Sequence, residues 1–596
     1  MANFIILIDP VSERRTQYID KIKPLLAIVE NLNSDSCSTQ DFCAIWAANA
    51  KAPITSYSDD KEAAAIWGEA ITQADSTRIN ATQLKDLWNQ TNDKDLTPFN
   101  GFYAAVTYHT TIGLTVGADI LGLFPIYYWS HRDVILVGSS PELFRYHPLF
   151  EAKFNPVGLV GILLTNGLFD GQTLWQNVRR LNPGHLLTWQ PNSETKEVEQ
   201  YRVADLTSKQ YSQYEFLEQL ELLDQVLDQS LSSQLKNEPE CSLMLSGGLD
   251  SRLLAGIIHR QGVNPLAITL GKDGDLEMKC AKSVARTLGY KHQMIDIPFE
   301  RYLANANLLV QAEHLANGFN NIMDWGLYSH LRNFPPKVVT GYLMDRVVGG
   351  SQRDLPSPEK FSFEIFFKNV NFWGFEPKLL ESLLRKEVFG DLIPETLARI
   401  RTVYESYSER EFRRAWWFEI FHSNRFHVGS NAWRVCFGSW PALPALNYQL
   451  LATIAGLSDE TIAKRRGEEE FLIRKFPQLA QLPLDRTSKF SIEPLITSQT
   501  HQLFAPLLSL QSKWRQLQRK LGWERRYWFR IYDLNNPGWL AVRQQAEPYR
   551  QQVYHLFDEE AFNALLPKPE VSIPIKKGRD SLKSLIGFLL WSGDNL

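Results

Sequence analysis

Cysteine is scarce in this chain. There are five among 596 residues (Cys37, Cys43, Cys241, Cys280 and Cys436), odd in number and with no C-x-x-C pair. That excludes a disulfide framework and a zinc site built on paired thiolates, and it fits a reducing compartment. Charge of one sign is not in excess either: the net of −4 gives no general attraction to nucleic acid or to a membrane surface. Long hydrophobic runs are missing. SLIGFLLW at 584–591 falls far short of a membrane span and is expected to dock on the protein. The opening MANFIILIDPVSERR has neither a basic start nor a small-residue cleavage site, so it reads as a first strand. Cytoplasmic is the expected location.

What is present is ordinary for a soluble enzyme, with 44% apolar and 22% charged residues. The length asks for two to four domains. Residues 1–205 carry short β-type runs (NFIILID, GFYAAVTYH, GLTVGAD, PIYYWS, DVILVGSS, GHLLTW) with a helical patch at KEAAAIWGEAI. They predict an N-terminal antiparallel β-sandwich with helices. Residues 206–500 alternate longer helical patterns with short apolar strands, which predicts an α/β domain with a parallel sheet. The long helix YEFLEQLELLDQVLDQSLSSQL, the strands CSLML, LAITL and KVVTG, and helices ending at Gly262 and Gly289 belong to it. Residues 501–596, including KWRQLQRKLGWERRYWFRIY, read as a helical, basic and aromatic C-terminal extension. The fold class is therefore mixed, α/β and α+β.

LMLSGGLDSRLL at 243–254 places a strand, a turn and a helix in succession. Gly247 and Gly248 let the backbone approach an anion closely, and the following helix points its positive end at the same place. Ser246 and Ser251 can add hydroxyl donors, and Asp250 can hold a Mg²⁺ that bridges phosphate oxygens. The Walker spacing and its lysine are absent. The pattern resembles the pyrophosphate-binding loop of ATP pyrophosphatases. That resemblance implies that ATP contacts Leu245, Ser246, Gly247, Gly248, Asp250 and Ser251. Leu270, ending the second strand, would lie beside the adenine. Glu277 either helps near the metal or simply favours its helix start.

Two further stretches narrow the family. PFNGFYAAVTYHTTIGLTVGADILGLFPIYYWSHRDVILVGSSPEL at 98–143 resembles the glutamine amidotransferase-type domain of asparagine synthetases, through Ala118, Asp119, Gly122, Pro125, Tyr127, Ser139, Ser140 and Glu142. TGYLMDRVVGGS at 340–351 resembles that family's S-G-E-G-A-D-E-L-F-G-G-Y and keeps Gly341, Asp345, Gly349 and Gly350. PALN at 444–447 stands where the family has P-F-L-D. The chain is thus similar to the asparagine synthetase superfamily over residues 1 to about 500. The resemblance implies Gly341 at the ATP site, Asp345 as the second magnesium ligand beside Asp250, and ATP and Mg²⁺ as cofactors.

The departures matter as much. Glutamine-dependent members expose a cysteine as their mature N-terminus, whereas Ala2 follows Met1 here and the nearest cysteine is Cys37. An N-terminal nucleophile needs its thiolate and the free α-amine together, so the first domain reads as a relic without glutaminase activity. Tyr342 replaces the family's glutamate and Arg346 the acid that follows. A tyrosine there, with the cysteine missing, resembles the β-lactam synthetase branch, where a Tyr–Glu pair serves as base for the amine. Glu376, in FWGFEPKLL, is the candidate partner by its downstream position, and both residues also read as plain packing and helix-start residues. Lys489, in RTSKFS with Arg486 beside it, resembles the catalytic lysine that offsets charge on the phosphates.

The implied reaction activates a small-molecule or peptide carboxylate as an acyl-adenylate, releases pyrophosphate, and joins the acyl group to an amine. Asparagine synthesis from aspartate and free ammonia is a second reading, which Asn447, Tyr342 and the missing cysteine oppose. A non-catalytic ATP-binding scaffold is a third, which the intact SGGLDS and Asp345 oppose. No membrane partner is expected. RNA contact by the basic aromatic stretch is disfavoured by the sandwich resemblance, and a homodimer stays open.

Overall fold

The computed structural model describes residues 2–90, 99–200, 209–236, 238, 240–349, 362–369, 374–485, 493–496, 526–574 and 579–596. The N-terminal part is built from β1 (Ala2–Ile8), β2 (Asn33–Ser38), β3 (Phe42–Ala48), β4 (Ile54–Ser58), β5 (Glu62–Gly68) and β6 (Tyr103–His109). It continues with β7 (Gly113–Ala118), β8 (Tyr127–His131), β9 (Val134–Gly138), β10 (Arg179–Arg180), β11 (His185–Trp189) and β12 (Lys196–Glu199). They form two six-stranded antiparallel sheets, ordered β10-β8-β9-β1-β3-β2 and β12-β11-β7-β6-β5-β4. Phe4 of one sheet stacks on Trp67 of the other at 4.0 Å between ring centroids, which marks the sandwich core. The helix Ser12–Leu26 buries Tyr18, Ile22 and Leu26, spaced four apart, and packs on β1 and β3. With both faces covered, β1 reads as a continuous apolar run.

KEAAAIWGEAI is not helical. Its core is β5, paired with β4 from Ile54↔Trp67 and with β6 from Glu62↔His109. Ala63, Ala64 and Ala65 are fully buried there. Small side chains suit a strand hemmed in by two neighbours, and that pairing overrides alanine's helix propensity.

The central sheet is parallel. Its strands are β13 (Cys241–Met244), β14 (Leu266–Leu270), β15 (His292–Ile295), β16 (Lys337–Val339) and β17 (Trp440–Ala442), in the order β15-β14-β13-β16-β17. The chain runs outward from β13 to β15 and then returns to β16 on β13's other side. The strand order reverses between β13 and β16, and ligands of open α/β sheets bind in the crevice beyond the strand ends at such a point. The helices Leu249–Arg260 and Leu276–Leu288 supply the crossovers, the second ending at Gly289 with φ 73°.

The sandwich is joined closely to this sheet. A Cβ on Gly68 would lie 2.6 Å from the Trp440 ring, and Gly101 N donates to Leu446 O at 2.9 Å. Asn447 caps the helix Tyr448–Gly456 by accepting from Leu450 N at 2.9 Å. The C-terminal residues form helices, among them Tyr527–Ile531, Pro537–Ala546 and Arg579–Asn595. Within SLIGFLLW, Leu585, Ile586, Phe588 and Trp591 are buried. Trp591 Nε1 donates to Glu142 Oε1 at 2.8 Å, and His314 Nδ1 meets the same oxygen at 2.5 Å. His314 Nε2 accepts from Leu174 N at 2.8 Å, which puts the proton on Nδ1. One carboxylate thus ties together the sandwich, the central domain and the late helix. Trp591→Ala is expected to cost about 3–5 kcal/mol, read as a lowered urea midpoint. Among the described residues no helix is long and apolar enough to cross a membrane.

Candidate functional site

The loop after β13 closes on itself through its serines. Ser246 N donates to Ser251 Oγ at 3.0 Å, the two hydroxyls lie 2.9 Å apart, and Gly248 N donates to Ser246 Oγ at 3.1 Å. Leu245 N donates to Ile268 O at 2.8 Å, and Leu245 O accepts from Thr269 Oγ1 at 2.6 Å, so the strand end is pinned to β14. Gly247 has no room for a side chain: a Cβ would lie 2.7 Å from Cys280 Cβ and 3.3 Å from Glu277 Cα. Gly247 O also accepts from Asp485 N at 2.9 Å. The turn is therefore wedged between the start of Leu276–Leu288 and the segment at Asp485, with Asp250 in the first turn of its own helix.

β16 delivers the second half. Gly341 follows it, and a Cβ there would lie 3.3 Å from Asp250 Cβ. Asp345 sits in the short helix Met344–Val347. Two arginines bind these carboxylates. Arg465 donates to Asp250 Oδ1 and, at 2.7 Å, to Glu468 Oε2, while Arg346 lies 3.8 Å from Asp345 and 3.7 Å from Glu419. Burial works against the Arg465 charge, yet Asp250, Glu468 and Asp345 together hold it above its ordinary value. Lys464 and Arg465 both adopt left-handed backbone, with φ 56° and 64°, a cost tolerated where surrounding structure fixes the residue. Arg465 N donates to Gly349 O at 3.1 Å, and a Cβ on Gly349 would lie 3.0 Å from Arg465 Cγ.

This donor set fits a magnesium ion only in company with a ligand. Among the described residues no three acidic, histidine or cysteine groups converge as a metal cage. Asp250 and Asp345 can supply two carboxylates, and magnesium is usually held by one or two of these plus substrate phosphates. Asp250, Asp345, Glu419 and Glu468 surround the two guanidiniums, and burial, opposed by the Arg465 charge, holds the Glu468 carboxyl well above its ordinary value.

Glu277 lies under the loop, its Oε2 accepting from Tyr527 N at 3.2 Å and its Oε1 buried without a partner. Burial pushes its carboxyl up to about 7; Asp485 adds to that and Arg526 opposes it. The folded chain keeps this proton while the unfolded chain loses it near 4.5. Its stabilising effect is therefore complete below pH 4.5 and lost as pH rises to about 7. Glu277→Gln should gain roughly 3 kcal/mol on the parent across that window and stay level above it, measured by urea unfolding at stepped pH.

Of the residues singled out from the sequence, the structure gathers Leu245, Ser246, Gly247, Gly248, Asp250, Ser251, Gly341 and Asp345 at the strand reversal. Leu270 ends β14 opposite Ile295, one strand over. Tyr342 is partly buried beside Asp324: burial pushes its phenol up and the Asp324 charge adds to it. Glu376 is exposed and opens the helix Pro377–Leu383, in a segment whose Phe375 N donates to Leu163 O on the sandwich. The carboxylate whose charge adds to the burial of Tyr342 is Asp324, 18 residues earlier in the chain. Lys489, Arg486 and Gly350 lie outside the described residues. Arg465, Glu468 and Asp324 escaped sequence reading because none stands in a recognisable motif.

Comparison with known families matches residues 222–489 to asparagine synthase and residues 72–202 to a glutamine amidotransferase domain. No curated protein matches the chain. Among solved structures, NMN synthetase from Francisella tularensis is 20% identical over 24% of this chain and 60% of its own, with a TM-score of 0.18. Glutamine phosphoribosylpyrophosphate amidotransferase from B. subtilis is 10% identical over 49% of this chain and 65% of its own, with a TM-score of 0.20. The chain thus spans less than two thirds of either.

Proposed function

We propose that this chain, which matches asparagine synthase over residues 222–489 and a glutamine amidotransferase domain over residues 72–202, is an ATP-dependent, amide-forming ligase of the asparagine synthetase superfamily without glutaminase activity. The observation that carries the reading is the close approach of Gly341 to Asp250, which sets the glycine-rich turn beside the segment that carries Asp345. A carboxylate substrate attacks the α-phosphate of ATP there. The C–O–P bond of an acyl-adenylate forms and pyrophosphate leaves with the electrons of the broken P–O bond. An amine then attacks the acyl carbon, AMP leaves, and the amine's proton passes to the protein.

The residues divide the work. The turn from Ser246 to Ser251 offers backbone N–H groups and two hydroxyls to the departing pyrophosphate, a preorganised set that gains force as water is excluded. Arg465 and Arg346, which neutralise Asp250 and Asp345 in the free chain, turn towards phosphate oxygens when nucleotide enters. Magnesium held by Asp250 and Asp345 would draw charge off the triphosphate. Lys489 is proposed to do the same from the α- and β-phosphate side. Tyr342, its phenol raised by burial, serves as a hydrogen-bond donor and relay.

The glutaminase activity is proposed lost because the thiols of the first domain are held in their neutral form: burial pushes Cys37 up to about 12 and Cys43 up to about 11. The test is ATP-dependent pyrophosphate release, screened with aspartate plus ammonia, with glutamine, and with panels of other acids and amines. Release that needs an acid other than aspartate supports the reading. Turnover of aspartate with ammonia at ordinary enzyme rates would replace it with asparagine synthesis.

A further inference from the structure

A second set of polar groups lies around the buried Asp324 in the turn Ile322–Leu327. The helix Tyr302–Glu313 presents Tyr302 and Asn305, one turn apart, and both are buried. Neither the Tyr302 hydroxyl nor Asn305 Nδ2 has a hydrogen-bond partner, and the Tyr527 hydroxyl is orphaned in the same way. A Cβ on Gly326, two residues beyond Asp324, would lie 3.4 Å from Asn305 Nδ2. Tyr527 flanks Gly271, just past the end of β14, at 3.5 Å from where a Cβ would stand, and Tyr342 follows β16. The group therefore spans the strand ends on either side of the β13 turn.

Its chemistry is lopsided. Asp324 is one buried acceptor, bonded by the Asn431 side chain. The neighbouring Arg434 is already committed to Glu313 at 2.6 and 2.9 Å. Burial, opposed by the Arg434 charge, pushes the Asp324 carboxyl up to about 6; burial also raises Tyr302, Tyr342 and Tyr527, and the Asp324 charge adds to each. Orphaned buried donors each cost on the order of 1–3 kcal/mol, and native proteins keep few of them without a reason. Here two hydroxyls and one amide N–H₂ go unpaired, with Asp296 adding to the Asp324 charge at Tyr302 and Arg530, itself bonded to Asp275 at 2.9 and 3.0 Å, opposing it at Tyr302 and Tyr527. A ligand that satisfies them all offers a cationic or N–H end to Asp324 and one or two oxygen acceptors to the donors.

We propose that Asp324, Tyr302, Asn305 and Tyr527 form the pocket for the amine substrate, and that this substrate is an α-amino acid or aminoacyl amide rather than free ammonia. The ammonium faces Asp324, and the neighbouring carboxylate or carbonyl oxygen takes the hydroxyls and the Asn305 amide. Ammonia has no oxygen to satisfy these donors and would leave them unpaired. The assignment rests on the ligase reading in naming the ligand a second substrate.

The test is titration of the full chain, with magnesium and a non-hydrolysable ATP analogue present, against ammonium chloride and a panel of the common α-amino acids and their amides. Binding is read by calorimetry and by thermal shift. At least one panel member should bind where ammonium chloride does not, and Asp324→Asn and Tyr302→Phe should each weaken it at least about tenfold, as loss of a charge-assisted or otherwise unmade bond predicts. Tyr302→Phe only removes an orphaned hydroxyl, so the free variant should melt no lower than the parent, which separates lost binding from lost folding. Binding of no panel member, or unchanged binding in both variants, overturns the pocket. If the ATP analogue binds while the panel fails, this inference alone falls; if the analogue also fails to bind, the ligase reading falls with it.

Discussion

An Asp250→Asn variant is expected to release pyrophosphate at no more than about a hundredth of the parent rate, with its fold intact. Asparagine keeps the size of the side chain and an oxygen for Arg465, and its Cβ keeps its place beside Gly341. What disappears is one negative charge at the place where the turn, Asp345 and two arginines converge. In the free chain that charge compensates Arg465; in the proposed reaction it compensates the cation drawn to the triphosphate. Loss of one preorganised electrostatic group at a phosphoryl site costs on the order of 10²–10³ in rate. Pyrophosphate release coupled to a colorimetric phosphate assay reads the rate, and circular dichroism confirms the fold. A variant that works within threefold of the parent would remove Asp250 from the chemistry.

The second large effect concerns stability. Glu313→Leu should cost about 3–5 kcal/mol, because it strands a buried guanidinium. Arg434 forms two parallel bonds to Glu313, at 2.6 and 2.9 Å, and both side chains are nearly inaccessible. Trp325 Nε1 donates to the same carboxylate at 2.7 Å, and Arg434 Nη1 reaches Asn321 O at 2.6 Å. Without Glu313 the cation keeps hydrogen bonds only to neutral oxygens, with Asp324 as its remaining carboxylate neighbour. The double variant Glu313→Leu with Arg434→Leu should recover most of the loss, since replacing both partners removes the stranded charge as well as the attraction. Urea titrations of the two single variants and the double complete the cycle. If the double variant is as unstable as the sum of the singles, the pair contributes nothing as a pair.

What the sequence disclosed depended on how far apart the cooperating residues lie. The turn at Ser246 to Ser251 was legible because its strand, glycines, serines and helix are consecutive, and the structure keeps them on one corner. The Asp345 segment was found through a motif twelve residues long, and SLIGFLLW through its apolar content. Arg465 had no such mark: it bonds to Asp250 across 215 residues, and its left-handed backbone is invisible in composition. Asp324 was hidden by sitting between hydrophobic residues in Ile322–Leu327. Glu376 was chosen by distance along the chain, which says nothing about which surface a segment packs on. Alanine-rich β5 misled in the opposite way, because its helical look is local and its strand pairing is not.

The shared carboxylate of Glu142 has a consequence for how the protein comes into being. Glu142 and His314 leave the ribosome while Trp591, 449 residues beyond Glu142, is still to be made. Until that indole arrives, the seam between the sandwich and the parallel sheet lacks its third strut. A nascent chain stalled in its last helix therefore offers chaperones and proteases a loosened joint that the released chain no longer shows.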